Sequence, residues 1–313
     1  MNASERDQLI ATCAETTVIL FERKLVRRAW LFGSVIYKGG VYFERKTSDV
    51  DILFHFGENH IEPFARVKAL IEIAPELLNL DEKLRSLDFL KERTTPLVSA
   101  NAFGPFVWKH GLFNWADPLF QKRNKYIDLL NPNLSSIGFT SAPGPSGYRF
   151  MGPKFADATH SLIEAHGRRK LFFSEFLITK TPETLGDIEL DWLPPVSKEL
   201  QRAAARLGAY SRRTQDESAY DVNQGLHYLT GLIQELERSD NSYQPLCTAV
   251  AARQGGRGEV LKKKNLLRKD ELLLWEILAY YAEAFLDNKK PRKKHLSTEG
   301  IAVGQRRRAA HKR

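Results

Sequence analysis

Sulfur is scarce in this chain, with two cysteines and two methionines. Cys13 and Cys247 are too few for a disulfide framework or a cysteine-rich zinc module, and they read as reduced thiols. With Gly 20 and Pro 14, the chain is neither collagen-like nor of low complexity. A membrane span needs roughly 20 apolar residues. The most apolar stretch, Leu272 to Leu286, is interrupted by Glu276 and Glu283. The N-terminus lacks the basic start and apolar block of an export signal. Together these absences predict a soluble cytoplasmic protein without a membrane segment.

Several catalytic signatures are missing too. The eight histidines show neither HxH nor HExxH spacing, and His160 and His166 lie too far apart for one helix face, so no zinc site is expected. There is no Walker A loop and no dinucleotide fingerprint. Gly255-Gly256-Arg257-Gly258 follows no strand and reads as a loop. A Ser-His-Asp nucleophile would need an elbow that the sequence does not contain.

The chain has 313 residues, 42% hydrophobic and 27% charged, enough to bury a core in two domains or one large one. Its net charge of +9 is unevenly placed. Residues 289–313 hold ten of the 47 basic residues and one of the 38 acids, Glu299, so the rest of the chain is neutral. With few large apolar residues and many like charges, this tail reads as disordered. The tail and the Lys262-Lys263-Lys264 run are candidate contacts for RNA or DNA phosphates, or a solubilising or protein-docking arm.

Apolar periodicity predicts a helix over 4–29, with Ser4 and Asp7 as a capping box, and a short strand at Ala29-Trp30-Leu31-Phe32 that ends in Gly33-Ser34. A second strand is expected at Val50 to Phe56, helices at 60–79 and 81–92, and strands at 96–108 and 124–130. The Pro/Gly/Ser-rich stretch from Asn131 to Pro153 is the best boundary, and helices are expected beyond it at roughly 154–172, 196–212, 217–238 and 258–288.

The informative pattern is Gly33-Ser34 followed, after a 14-residue gap, by Asp49-Val50-Asp51. Side chains at i and i+2 of a strand share a face, so Asp49 and Asp51 can aim both carboxylates at one point. Paired carboxylates suit Mg²⁺ held together with substrate phosphates. Gly33 permits close backbone approach to a phosphate, Ser34 adds a hydroxyl and an N–H, and a helix beginning there would favour an anion. A third carboxylate is wanted on a neighbouring strand. Asp128, inside Tyr126-Ile127-Asp128-Leu129-Leu130, is the natural choice, because an ionised Asp in an apolar run is costly unless paired or ligating metal. Its competitors are Asp117, Glu189 and Asp191, which fit a turn or an exposed strand better.

This ordered set resembles the polymerase-β-like nucleotidyltransferase superfamily. Ile127-Asp128-Leu129-Leu130-Asn131-Pro132 resembles the third-acid strand of its oligoadenylate-synthase-like branch, which includes bacterial anti-phage cyclic-oligonucleotide synthases. The resemblance implies an α+β fold with a mixed-sheet catalytic palm over 1–150, a helical domain over 151–288 that closes the nucleotide cleft, and the basic tail at 289–313. It also implies triphosphate held by Gly33 and Ser34, two Mg²⁺ or Mn²⁺ ions ligated by Asp49, Asp51 and Asp128, and a cation such as Lys170 offered by Arg168-Arg169-Lys170. The implied reaction joins NTP-derived nucleotides with loss of pyrophosphate, and an oligonucleotide messenger, linear or cyclic, is the first reading of the product. An RNA 3′ end such as tRNA, a protein or small-molecule hydroxyl, and an inactive nucleic-acid-binding module are the alternatives. Base stacking would fall to an aromatic such as Tyr148, Phe150, Tyr210, Tyr220 or Tyr228. The chain departs from the family in the long, charged gap after Ser34 and in the missing small-residue-plus-Thr pattern.

Overall fold

A computed structural model describes residues 1–104, 106–107, 126–131, 153–180, 198–212, 222–251 and 268–287. Four strands and seven α-helices lie among them. In chain order they are α1 (Ala3–Glu22), β1 (Val26–Phe32), β2 (Val50–Phe56), α2 (Pro63–Arg85), β3 (Val98–Phe103), β4 (Ile127–Asp128), α3 (Pro153–Thr179), α4 (Lys198–Arg212), α5 (Val222–Glu237), α6 (Gln244–Ala251) and α7 (Arg268–Leu286). The fold is therefore α+β with a mixed sheet, as expected. Among the described residues no helix is long and apolar enough to cross a membrane. The expected boundary, the tail, Lys262-Lys263-Lys264 and Gly255-Gly256-Arg257-Gly258 lie outside the described residues. So do Asp117, Glu189, Asp191, Tyr148, Phe150 and Tyr220, as does the side chain of Tyr210.

The first helix is capped two residues earlier than its sequence suggests. Asn2 is the N-cap, accepting from the Glu5 N–H while the Glu5 carboxylate accepts from the Asn2 N–H. That backbone hydrogen bond, then Arg45, holds the Glu5 carboxyl below the usual range. Leu9, Ile10, Cys13, Thr16, Thr17 and Leu20 form the buried stripe of α1. The helix ends at Glu22, well short of residue 29. Lys24 takes a left-handed φ of 60°, and the Leu25 N–H reaches the Leu20 carbonyl and the Lys24 N–H that of Phe21, which closes a Schellman motif without glycine.

The sheet order is β3-β2-β1-β4. The β1 strand runs antiparallel to both β2 and β4, and β2 runs parallel to β3. A parallel pair needs a long crossover, and α2 supplies it. The two helices expected at 60–79 and 81–92 are this one helix, continuous through Pro75, followed by a 3₁₀ turn at Asp88–Leu90. Asp81 does not start a helix. It is fully buried and accepts from the Leu97 and Val98 N–H groups, so it pins the start of β3, while Arg85 neutralises it at 2.7 Å.

The central strand β2 is buried along nearly its whole length, and one continuous core joins the sheet, α1 and α2 to α3, α4, α5 and α7. α3 packs on β3, α2 and α7, and α7 packs on α2. Four charged residues lie inside this packing. Arg66 of α2 pairs with Glu283 of α7 at 2.6 Å, and Arg169 of α3 pairs with Glu276 of α7 while donating to the Ala102 carbonyl of β3. Burial alone would depress the Arg66 guanidinium, but Glu283 and Glu276 more than reverse that and hold it above its usual value.

Two histidines are buried in the same region. Burial, then Arg27 and Arg28, pushes His55 down to about 4, and burial, then Arg169, pushes His166 down to about 3. Both are held neutral in the folded state, so between these values and the unfolded value near 6.5 the unfolded chain binds more protons. The stability they contribute is full above about pH 6.5 and is lost as pH falls toward 4 and then 3. With both groups counted, urea unfolding at pH 5.5 is expected to show roughly 3 kcal/mol less stability than at pH 7.5. His166→Gln is expected to flatten about half of that slope. A slope unchanged by the substitution would show that His166 does not carry it.

Candidate active site

β1 and β2 meet where Phe32 pairs with Asp51 and Leu31 with Ile52. β4 lies on the other side of β1, with Asp128 opposite Trp30. Trp30 and Phe32 are two residues apart, so Asp51, Phe32, Trp30 and Asp128 share one face of the sheet. Ser99 and Asn101 of β3 extend this face through their pairing with Asp51 and Leu53.

Gly33 turns the chain out of β1 beside Asp51, at a φ of +76°. A Cβ built on Gly33 would lie 2.2 Å from the Asp51 Oδ2. The glycine is therefore required twice over, by its backbone conformation and by the carboxylate that occupies the space a side chain would need. The structure gives Gly33 a role that the sequence pattern does not, as the cradle of Asp51.

After β1 the chain makes a single 3₁₀ turn, Gly33–Val35, and no α-helix begins at Ser34. The long gap to Asp49 is a succession of tight turns. The N–H groups of Ile36, Gly39, Phe43 and Thr47 donate to the carbonyls of Gly33, Ile36, Gly40 and Glu44. Val35, Ile36 and Phe43 anchor this winding in the core, and Arg45 ties it to Glu5 of α1 at 2.7 Å. Its outer edge carries Tyr37 and Tyr42, stacked 5.5 Å apart, with the Lys38 ammonium over both rings. Of the aromatics named as stacking candidates, Tyr228 packs its ring against Gly208.

Asp49 lies one residue before β2 and is exposed. Its Oδ1 accepts from Arg93 Nη2 at 3.0 Å. The Arg93 side chain is nearly inaccessible and donates also to the carbonyls of Ser48 at 2.6 Å, Pro96 at 2.9 Å and Thr95 at 3.3 Å. Sequence reasoning missed Arg93, because it falls just past the helix expected at 81–92 and before the strand expected at 96–108, where no periodicity marks a role. Asp128 is buried, and its Oδ1 accepts from the Leu130 N–H at 3.0 Å, which closes the turn after β4.

The acids thus share a region of the sheet without converging fully. Among the described residues no three His, Cys, Asp or Glu side chains gather closely enough to hold a metal ion. The donor set, carboxylates beside a glycine cradle, still fits a hard, oxygen-preferring divalent cation.

Lys170 is exposed on α3, and among the described residues no contact links it to the acids. Its neighbour Arg169 is turned into the core against Glu276, and Arg168 lies over the Trp275 ring near Glu271. Arg169 is thus an interior ion-pair partner and is unavailable to a triphosphate.

Residues 24–284 match a family model described as Pol beta superfamily nucleotidyltransferase in conflict systems. No curated protein and no solved structure matches the chain.

Proposed function

Because the chain belongs to the Pol beta superfamily nucleotidyltransferases of conflict systems, with nucleoside triphosphates as substrates in a defence setting, we propose that Gly33, Ser34, Asp49, Asp51 and Asp128 form its active site. The observation that carries this reading is the Gly33–Asp51 fit. A strand end, a left-handed glycine and a carboxylate are built into one another on the sheet face that also carries Asp128.

Asp49, Asp51 and Asp128 would hold the divalent ions, and Gly33 and Ser34 would face the triphosphate. Bound there, such ions lower the barrier by neutralising charge that develops on the phosphoryl oxygens. The residues themselves fix geometry. Gly33 keeps Asp51 in place, and the wound 33–48 segment sets the spacing between Ser34 and Asp49. Asp128 would accept the proton of the attacking hydroxyl. Palm, helical domain and basic tail over 1–150, 151–288 and 289–313 remain the division we propose. Lys170 remains a proposed triphosphate contact from α3, and Lys262-Lys263-Lys264 and the tail remain proposed nucleic-acid contacts.

For the product we propose an oligonucleotide, linear or cyclic, made from nucleotides alone. The sequence resemblance of Ile127–Pro132 to oligonucleotide synthases supports this over an RNA 3′ end. The test is incubation of the full chain with each labelled NTP and dNTP, singly and mixed, with Mg²⁺ or Mn²⁺, followed by phosphatase. Phosphatase-resistant products absent with Asp49→Ala/Asp51→Ala are expected. Labelling of tRNA with no product from nucleotides alone would overturn the messenger reading and keep the nucleotidyltransferase.

A further inference from the structure

We propose that Arg93 is the positioning residue of the metal site. It holds Asp49 in its ligating place before any ion arrives. This rests on the reading of Asp49 as a metal ligand.

The geometry is that of a clamp. One guanidinium reaches four acceptors that come from two segments far apart in the chain. Three are the carbonyls of Ser48, Thr95 and Pro96, and the fourth is the Asp49 carboxylate. Ser48 and Asp49 lead into β2, and Thr95 and Pro96 lead into β3, so Arg93 ties together the starts of the two parallel strands. The next step in both directions is already pinned. The Val50 N–H donates to the Leu97 carbonyl at 2.8 Å, and Asp81 takes the Leu97 and Val98 N–H groups. The end of the clamp that carries Asp49 is thereby fixed to rigid sheet.

The side chains differ in exposure. That of Arg93 is 4% exposed and that of Asp49 is 54%. A surface ion pair between two solvated side chains would carry little. Here the cation is buried and donates to three backbone carbonyls that fix its position, and the exposed acid is held at Oδ1. The carboxylate keeps Oδ2 for another partner. Groups that orient a metal-ligating carboxylate in this way are worth about 10- to 100-fold in metal affinity. Lysine cannot replace the arginine, because an ammonium has three donors on one point and cannot span the four acceptors of the planar fork.

A competing role for the same contact is a counter-ion that must leave before metal binds. The two roles predict opposite signs. A clamp strengthens metal binding, and a competing cation weakens it.

The experiment is Mn²⁺ titration of the full chain followed by electron paramagnetic resonance, with far-UV circular dichroism as the check on folding. The variants are Arg93→Lys, Arg93→Gln, Asp49→Asn, Asp51→Asn and the double Arg93→Lys/Asp49→Asn. Arg93→Lys keeps the charge and loses the fork, and about 10- to 100-fold weaker Mn²⁺ binding is expected. Arg93→Gln is expected to weaken it too, although a cation has been removed, and it serves as the second variant if Arg93→Lys does not fold. In the Asp49→Asn background the lysine substitution is expected to add nothing, which a merely structural arginine would not produce. A folded Arg93→Lys or Arg93→Gln that binds Mn²⁺ as well as wild type, or more tightly, overturns the clamp. Unchanged Mn²⁺ binding in Asp49→Asn and Asp51→Asn is a different failure, because it overturns the metal site itself.

Discussion

Asp51→Asn is expected to lower nucleotidyl transfer by about 10³-fold or more, roughly 4 kcal/mol of barrier, while the protein melts within a few degrees of wild type. The substitution is nearly isosteric, so the amide still fits beside Gly33, and the pairing of residue 51 with Phe32 and Ser99 uses only backbone. What is lost is the charge, and a carboxamide is a poor ligand for a divalent ion. Gly33→Ala approaches the same site from the other side. Its Cβ would lie 2.2 Å from the Asp51 Oδ2, at a φ of +76°, so the carboxylate must move and the backbone is strained. It is expected to lose turnover by about 10²-fold and, unlike Asp51→Asn, to lose about 1–2 kcal/mol of stability. Product formation under conditions where the wild type turns over, together with urea unfolding, separates the two variants. Asp51→Asn with more than about a tenth of wild-type turnover would remove Asp51 from the proposed active site.

The parts of this site that were legible in the sequence are those in which chemistry interrupts an apolar pattern. Ala29-Trp30-Leu31-Phe32 ends at Gly33, and Asp51 breaks Val50 to Phe56, so both strands and the acid declare themselves. β4 was legible as an apolar run, and among the described residues it pairs Ile127 with Leu31 and Asp128 with Trp30, while the Leu129 N–H reaches the Ala29 carbonyl just beyond. The misreadings have a common cause, which is that periodicity equates charge with exposure. Asp81 looked like the polar start of a new helix, yet its carboxylate is buried because two strand N–H groups need an acceptor. Arg93 lies between the helix expected at 81–92 and the strand expected at 96–108, and Arg169 reads as a candidate triphosphate cation beside Lys170. Each is an interior cation whose carboxylate partner lies more than 40 residues away in the chain. The end of α1 was hidden for another reason. Its left-handed terminus is Lys24, with no glycine to mark it, so the helix seemed to run on into β1.

Glu276→Ala is expected to destabilise the protein by about 3–5 kcal/mol, a large part of the 5–15 kcal/mol that holds a typical domain folded. Glu276 is fully buried on α7 and bonds Arg169 through both carboxylate oxygens, with the fully buried Arg66 at 3.6 Å. Deleting it leaves Arg169 charged in the core, with the Ala102 carbonyl as its remaining hydrogen-bond acceptor among the described residues. Arg66 keeps Glu283 and is hurt less. The sign reverses when the pair goes together. Arg169→Met/Glu276→Met removes both charges and is expected to lie within about 1–2 kcal/mol of wild type, because the pair's own desolvation cost disappears with it. A double-mutant cycle by urea unfolding measures the difference. Glu276→Ala within about 1 kcal/mol of wild type would mean that Arg169 finds another partner or water. The expected cost also has a consequence for the site. Arg169 bonds the backbone of β3, and β3 carries Ser99 opposite Asp51, so α7 reaches the sheet that carries the proposed site through this pair. Loss of Glu276 is therefore expected to lower activity more steeply with temperature than Asp51→Asn does, because it loosens the sheet where Asp51→Asn only removes a charge from it.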